Sequence, residues 1–214
     1  ILKVLGKDMQ SYCLINKSKL KYISITIITI FILFYSSVHS TEIFREKINL
    51  LQNSLISLSD KENQEEKKQL LNLSNIVEEV YDYKKMIKMI IGKKNWNALE
   101  NQEQIDLALT FKDFIVFNYI KRFKNSDNIT FEFIGTKEVG KNYKIGMTHL
   151  LIKDEKIKIN YLFYKIEDKW KIFDVLLEGA ISEIATKKAE YSNFIRENGA
   201  NMLSKSLKEK MLLK

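Results

Sequence analysis

Few side chains in this sequence are of the types that do chemistry. Past residue 40 there is one histidine, His149, and no cysteine, because Cys13 falls in the N-terminal segment. Zinc, haem and thiol chemistry need several ligands, or a thiolate beside a base, and this inventory argues against all three. A lone His in a strand reads as a hydrogen-bonded structural residue. Carboxylates remain. Glu78, Glu79 and Asp82 cluster within one helical turn, and paired carboxylates serve glycosidases, but adjacent acids on a helix more simply form a solvated face. Asp174 lies among Ile172, Phe173, Val175 and Leu176. A carboxylate buried there must be satisfied by backbone donors or by a Lys or Arg. The expectation is no catalytic residue, no metal and no cofactor: not an enzyme.

The elements that would position such groups follow from hydrophobic period. Phe44, Ile48, Leu51, Leu55 and Leu58 recur every three or four residues and predict a first helix. The charged run "SDKENQEEKKQ" reads as a solvated loop or helix start. Ile76, Val80, Tyr83, Ile87 and Ile90 predict a second helix ending at Gly92, where a C-terminal cap belongs. A short connection follows, with Asn101 and Gln104 at the spacing of a capping pair. The third helix, from about Gln102 to Phe123, is apolar over most of its circumference. It carries Ile105, Ala108, Phe111, Ile115 and Tyr119 on one side and Leu107, Phe114, Phe117 and Ile120 elsewhere.

Beyond "KNSDN" the period changes to two. Residues Ile129 to Val139, Tyr143 to Lys153, Lys156 to Ile166 and Trp170 to Leu177 predict four strands joined by connections of hairpin length. Two helices close the chain, from about Ile181 to Glu197 and from Asn201 to near Leu213. The fold class is α+β: a four-stranded antiparallel curved sheet with helices packed on one face, enclosing an apolar cavity in a cystatin-like or nuclear-transport-factor-like cone. The sequence holds no proline and no internal repeat.

The N-terminal segment predicts export. Lys17, Lys19 and Lys21 precede 13 apolar or hydroxyl residues, Ile23 to Tyr35, and "SSVHS" places small residues before a cut after Ser40. Thirteen residues is short for a membrane span of about 20. The expected organisation is residues 1–40 as an N-terminal extension and signal peptide, its first eight residues preceding Met9, and residues 41–214 as one domain. Removing residues 1–40 takes away five Lys and one Asp, leaving 30 basic and 26 acidic residues, a net charge of +4. With only Arg45, Arg122 and Arg196 in the mature chain, no clustered basic footprint for nucleic acid is present.

Two stretches resemble a known family. "WKIFDVLLEGAISEIATKKAEY", from Trp170 to Tyr191, is similar to the signature of the MlaC-like proteins, also called toluene-tolerance or auxiliary ABC-transporter proteins. In that signature W-x-[IV]-x-D-V and E-G precede I-S-x-[IL]-A-T-[RK]-[RK]-x-E-[FYW]. "VYDYKKMIKMIIGKKNWNALENQEQ" resembles the family's other block. Ala180 looks like an extra residue in the glycine turn, and Tyr191 stands where others have Trp or Phe. The resemblance implies a periplasmic carrier with phospholipid as cargo, moving it between the outer and inner membranes of Gram-negative bacteria and maintaining outer-membrane lipid asymmetry. Its implied partners are an inner-membrane ABC transporter with its MCE-type subunit and an outer-membrane lipoprotein complex.

Composition is compatible with that role. At about 0.8 kcal/mol per buried methylene, two acyl chains of roughly 30 methylenes represent about 25 kcal/mol of gross transfer free energy, which only a long apolar cavity could shelter from water. Phe114, Phe117, Tyr119, Met147, Tyr161 and Phe163 are the expected tail-contacting residues. Trp170, Asp174 and Gly179 are expected to set the angle between the last strand and the helix after it. The competing expectations are a small periplasmic enzyme or binder of an apolar small molecule on a similar cone, and an interaction module docking through Lys84, Lys85, Lys187 and Lys188.

Overall fold

The computed structural model describes residues 42–59, 66–124, 126, 128–153 and 155–212. The predicted export signal and its cut after Ser40 lie outside the described residues. Chain contacts set off Phe44–Lys214 as one compact unit.

The first helix, α1 (residues 42–59), buries all five residues of the predicted stripe, Phe44, Ile48, Leu51, Leu55 and Leu58. The predicted second helix is two. α2 (Glu66–Val80) ends, and α3 (Tyr83–Ile91) starts anew. Tyr81 forms a parallel bridge to Ile172 of strand β4, and the Asp82 N–H donates to the Ile172 carbonyl at 2.8 Å. The Asp82 side chain then caps α3 by accepting the Lys85 N–H at 2.8 Å. A 3.6-residue period runs unbroken through Val80 and Tyr83, so the apolar pattern conceals a break made by tertiary hydrogen bonds. The connection after Gly92 holds a short helix, α4 (Lys93–Ala98), with Trp96 buried.

α5 (Asn101–Phe123) begins one residue before its predicted start. The predicted capping pair is replaced by another: the Glu103 carboxylate accepts the Glu100 N–H at 2.9 Å. Gln104 turns away to donate to the carbonyls of Trp96 (3.1 Å) and Leu99 (3.2 Å).

The sheet has five strands, in the order β1 (Ile129–Glu138), β2 (Tyr143–Ile152), β3 (Glu155–Ile166), β4 (Lys169–Leu177) and β5 (Ile181–Ser182), each antiparallel to the next. The expected four strands match β1 to β4. The fifth arises because a tight turn at Glu178–Ala180 sends the chain back along β4, pairing Leu177 with Ile181 and Leu176 with Ser182. Gly179, at φ +76°, takes the left-handed conformation this turn requires. Bulges leave Ile134 unpaired in β1 and Phe173 unpaired in β4, and bulges of this kind bend a strand. α6 (Glu183–Asn198), a 3₁₀ turn over Ala200–Met202 and α7 (Leu203–Leu212) close the chain. α3 packs on α6, α5 on α7, and both α2 and α3 touch β4.

Candidate functional site

In β2 and β3 one face of the sheet carries the buried side chains. Alternation in β2 buries Gly146, Thr148 and Leu150, and in β3 Ile159, Tyr161 and Phe163. α1 lies against this face. The Phe44 ring meets Phe163 edge-on at 5.0 Å and Trp170 at 5.0 Å. Gly146 admits the helix: a Cβ there would collide with Ile48 Cδ1 and stand 3.3 Å from the Phe163 ring. The C-terminal end of α5 reaches the same face, where Phe123 packs on Phe131 at 6.2 Å.

Tyr161 and Phe163 therefore share this face, and Tyr119 of α5 packs against the same core, 6.2 Å from the Phe123 ring. Phe114 is buried and stacks on Phe117 one turn along α5 at 6.4 Å, and Lys187 of α6 sits 5.9 Å from the Phe114 ring. Met147 is not brought to this group. It pairs with Asn160 and Gly135, on the opposite face from Tyr161 and Phe163, because successive strand residues point to opposite sides.

Within this interior lies a polar set that the apolar stripes did not single out. The hydroxyls of Tyr81 and Tyr119 are 2.5 Å apart, and Gln52 of α1 donates an amide N–H to the Tyr161 hydroxyl at 3.5 Å. Tyr81 and Tyr161 are each 2% exposed, as is Gln52. Burial pushes the Tyr81 and Tyr161 phenols well up and that of Tyr119 up to about 12. The sequence held one signal: Gln52 interrupts an otherwise apolar helix face between Leu51 and Leu55.

Asp174 does what a buried carboxylate in a strand must. Its Oδ1 accepts the N–H groups of Val175 (2.8 Å) and Ile184 (3.1 Å), and its Oδ2 accepts the Ser182 hydroxyl at 2.5 Å. Ser182 in turn caps α6 by accepting the Ala185 N–H at 3.0 Å. Gly179 donates its N–H to the Lys158 carbonyl and receives the Asn160 amide on its own carbonyl at 3.2 Å. Trp170 instead packs on Phe44 of α1, away from the α6 junction.

The acids considered for catalysis diverge. Glu78 pairs with Lys112 at 2.9 Å, Glu79 with Lys47 at 3.9 Å, and Asp82 caps α3 and accepts the Tyr164 hydroxyl. His149 pairs across strands with Glu132 at 3.3 Å. Among the described residues no group of three or more His, Cys, Asp or Glu side chains is placed to hold a metal ion. Of the lysines considered for docking, Lys85 lies 3.4 Å over the Tyr164 ring and Lys187 pairs with Glu190 at 2.6 Å, while Lys84 and Lys188 are exposed.

Comparison with known proteins agrees with this architecture. The family model described as MlaC protein matches residues 47–209. None of the curated proteins matches the sequence. Among solved structures, a phospholipid-binding protein from Ralstonia solanacearum, in complex with a phospholipid, superposes with a TM-score of 0.67 at 15% identity. The match covers 80% of this chain and 96% of that one, and at such identity the likeness is one of fold.

Proposed function

The chain belongs to the MlaC protein family, and on that premise we propose that it is a periplasmic carrier of phospholipid. In this reading the mature domain, residues 41–214, is exported by a signal peptide cut after Ser40. It takes phospholipid across the aqueous space between the outer and inner membranes as the soluble component of an ABC-transport system. Its docking partners are the MCE-type subunit of that transporter and an outer-membrane lipoprotein complex, and its action maintains outer-membrane lipid asymmetry.

The observation that carries the reading is the fold shared with a protein captured with phospholipid, over 96% of that protein's length. The tails lie between α5 and the buried face of the sheet, against Phe114, Phe117, Tyr119, Tyr161 and Phe163. Met147 faces away from this group and is left out. Shielding roughly 30 methylenes supplies about 25 kcal/mol of gross transfer free energy, enough to draw lipid out of water and into the protein. The dispersal of Glu78, Glu79 and Asp82 to separate partners gives the enzymatic alternative no support.

The proposal is tested by transfer. Donor vesicles carrying a labelled phospholipid and acceptor vesicles are separated by a barrier that passes protein only, and the purified mature domain is added. Labelled lipid should reach the acceptors at a rate proportional to protein concentration; a rate equal to that without protein would overturn the proposal.

A further inference from the structure

The polar set inside the molecule keeps hydroxyl protons that its own hydrogen bonds do not use. A phenol hydroxyl carries one proton and can accept as well. The Tyr81 and Tyr119 hydroxyls share a single hydrogen bond, so one of their two protons is left over. The Tyr161 hydroxyl accepts from Gln52, which leaves its own proton without an acceptor among the described residues. A buried donor left unmet is costly, yet two such protons are held where α1, α5, β3 and the α2–α3 junction converge. The junction itself is pinned: the backbone of Tyr81 and Asp82 is bonded to Ile172, so the Tyr81 ring is positioned by the edge of the sheet.

What these protons fit is a neutral acceptor in apolar surroundings. No lysine is bonded to any of the three phenols among the described residues. The hydrogen-bond partners of these phenols are one another and Gln52, none of them charged. A phosphate would find no cation among the groups bonded to this set. An ester carbonyl, uncharged and accepting only, finds a donor without an ionic cost, and a diacyl lipid has two of them.

We propose that the hydroxyls of the Tyr81–Tyr119 pair and of Tyr161 donate hydrogen bonds to the ester carbonyl oxygens of a bound diacylglycerol-type lipid, making the protein selective for ester-linked over ether-linked chains. This rests on the carrier reading and assigns the linkage region of the lipid to the hydroxyls of these residues, while the rings of Tyr119 and Tyr161 remain against the tails.

The test compares a 1,2-diacyl phospholipid with its 1,2-dialkyl ether analogue, identical in chains and head group, competing for the delipidated mature domain and read by native mass spectrometry. The ester form should be preferred by about tenfold per hydrogen bond at most. Tyr161→Phe, and separately Tyr81→Phe with Tyr119→Phe, should reduce the ratio of ester to ether lipid bound. Equal binding of the two lipids by the wild type, or a preference that survives both sets of substitutions, overturns the proposal. Binding of neither lipid defeats the carrier reading itself. If a Phe variant fails to fold, infrared spectra of wild-type protein with carbonyl-labelled diacyl lipid decide. A carbonyl stretch shifted to lower wavenumber than for the lipid in hydrocarbon supports the bonds, and an unshifted one contradicts them.

Discussion

The Asp174 carboxylate accepts the Ser182 hydroxyl at 2.5 Å, joining two residues eight positions apart across the turn between β4 and α6. The same carboxylate takes the Ile184 N–H, one of the donors that every helix N-terminus leaves unpaired. Strand, turn and helix are thereby clamped by one side chain that is 6% exposed.

Asp174→Ala strands three donors in the interior and should lower stability by roughly 2–4 kcal/mol, against about 1 kcal/mol for Ser182→Ala, which removes a helix cap. Because the two residues share a bond, the double variant should lose less than the sum of the singles. Denaturant melts of the four proteins check this, and strict additivity would refute the shared clamp.

At Gly146 α1 comes so close to the sheet that an added Cβ would collide with Ile48, which is fully buried above it. Gly146→Val should overpack this contact and cost about 1–3 kcal/mol in thermal or denaturant unfolding. A variant as stable as the wild type would mean that α1 does not sit as described.

Asp82 holds the break between α2 and α3. Asp82→Ala removes the cap on Lys85 N and the acceptor of the Tyr164 hydroxyl, and should cost about 1–2 kcal/mol. Its local signature is faster hydrogen exchange at Lys85 than in the wild type. Unchanged exchange there would contradict the capping role.

Burial raises the phenols of Tyr81, Tyr161, Tyr164 and Tyr191, and brings Tyr119 to about 12. Groups whose folded pKa lies above the unfolded value of about 10 stabilise fully below that pH, and the contribution is lost as pH rises through the folded values. Stability should therefore fall from about pH 10 upward, with phenolate absorbance of these residues appearing together with unfolding. Lys85 and Lys171, lowered by burial, act in the opposite sense as pH approaches their unfolded value of about 10.4. Phenolate absorbance of all the tyrosines near pH 10, with the fold intact, would contradict the buried cluster.

The strands were readable because alternation and hairpin turns are local signals: β1 to β4 begin and end within a residue of their expected limits. At the β3–β4 hairpin, Glu167 and Asp168 both take positive φ, as a two-residue turn requires. What escaped was non-local. Tyr81 and Asp82 leave the helix because Ile172, some 90 residues on, offers a bridge. Ile181 and Ser182 become a strand because β4 has a free edge. The interior was half legible. Phe163 and Tyr161 follow from strand alternation, whereas Met147, in the neighbouring strand, needs the pairing register before its face is known. Gln52 and Tyr81 acquire meaning only when Tyr161 and Tyr119 arrive from distant parts of the chain.

The central claim is that this interior carries lipid. Mature protein purified from a Gram-negative host, denatured, extracted and examined by mass spectrometry should release diacyl phospholipid at close to one molecule per chain. Protein that is folded, by its melting transition, and yet releases none would contradict the account.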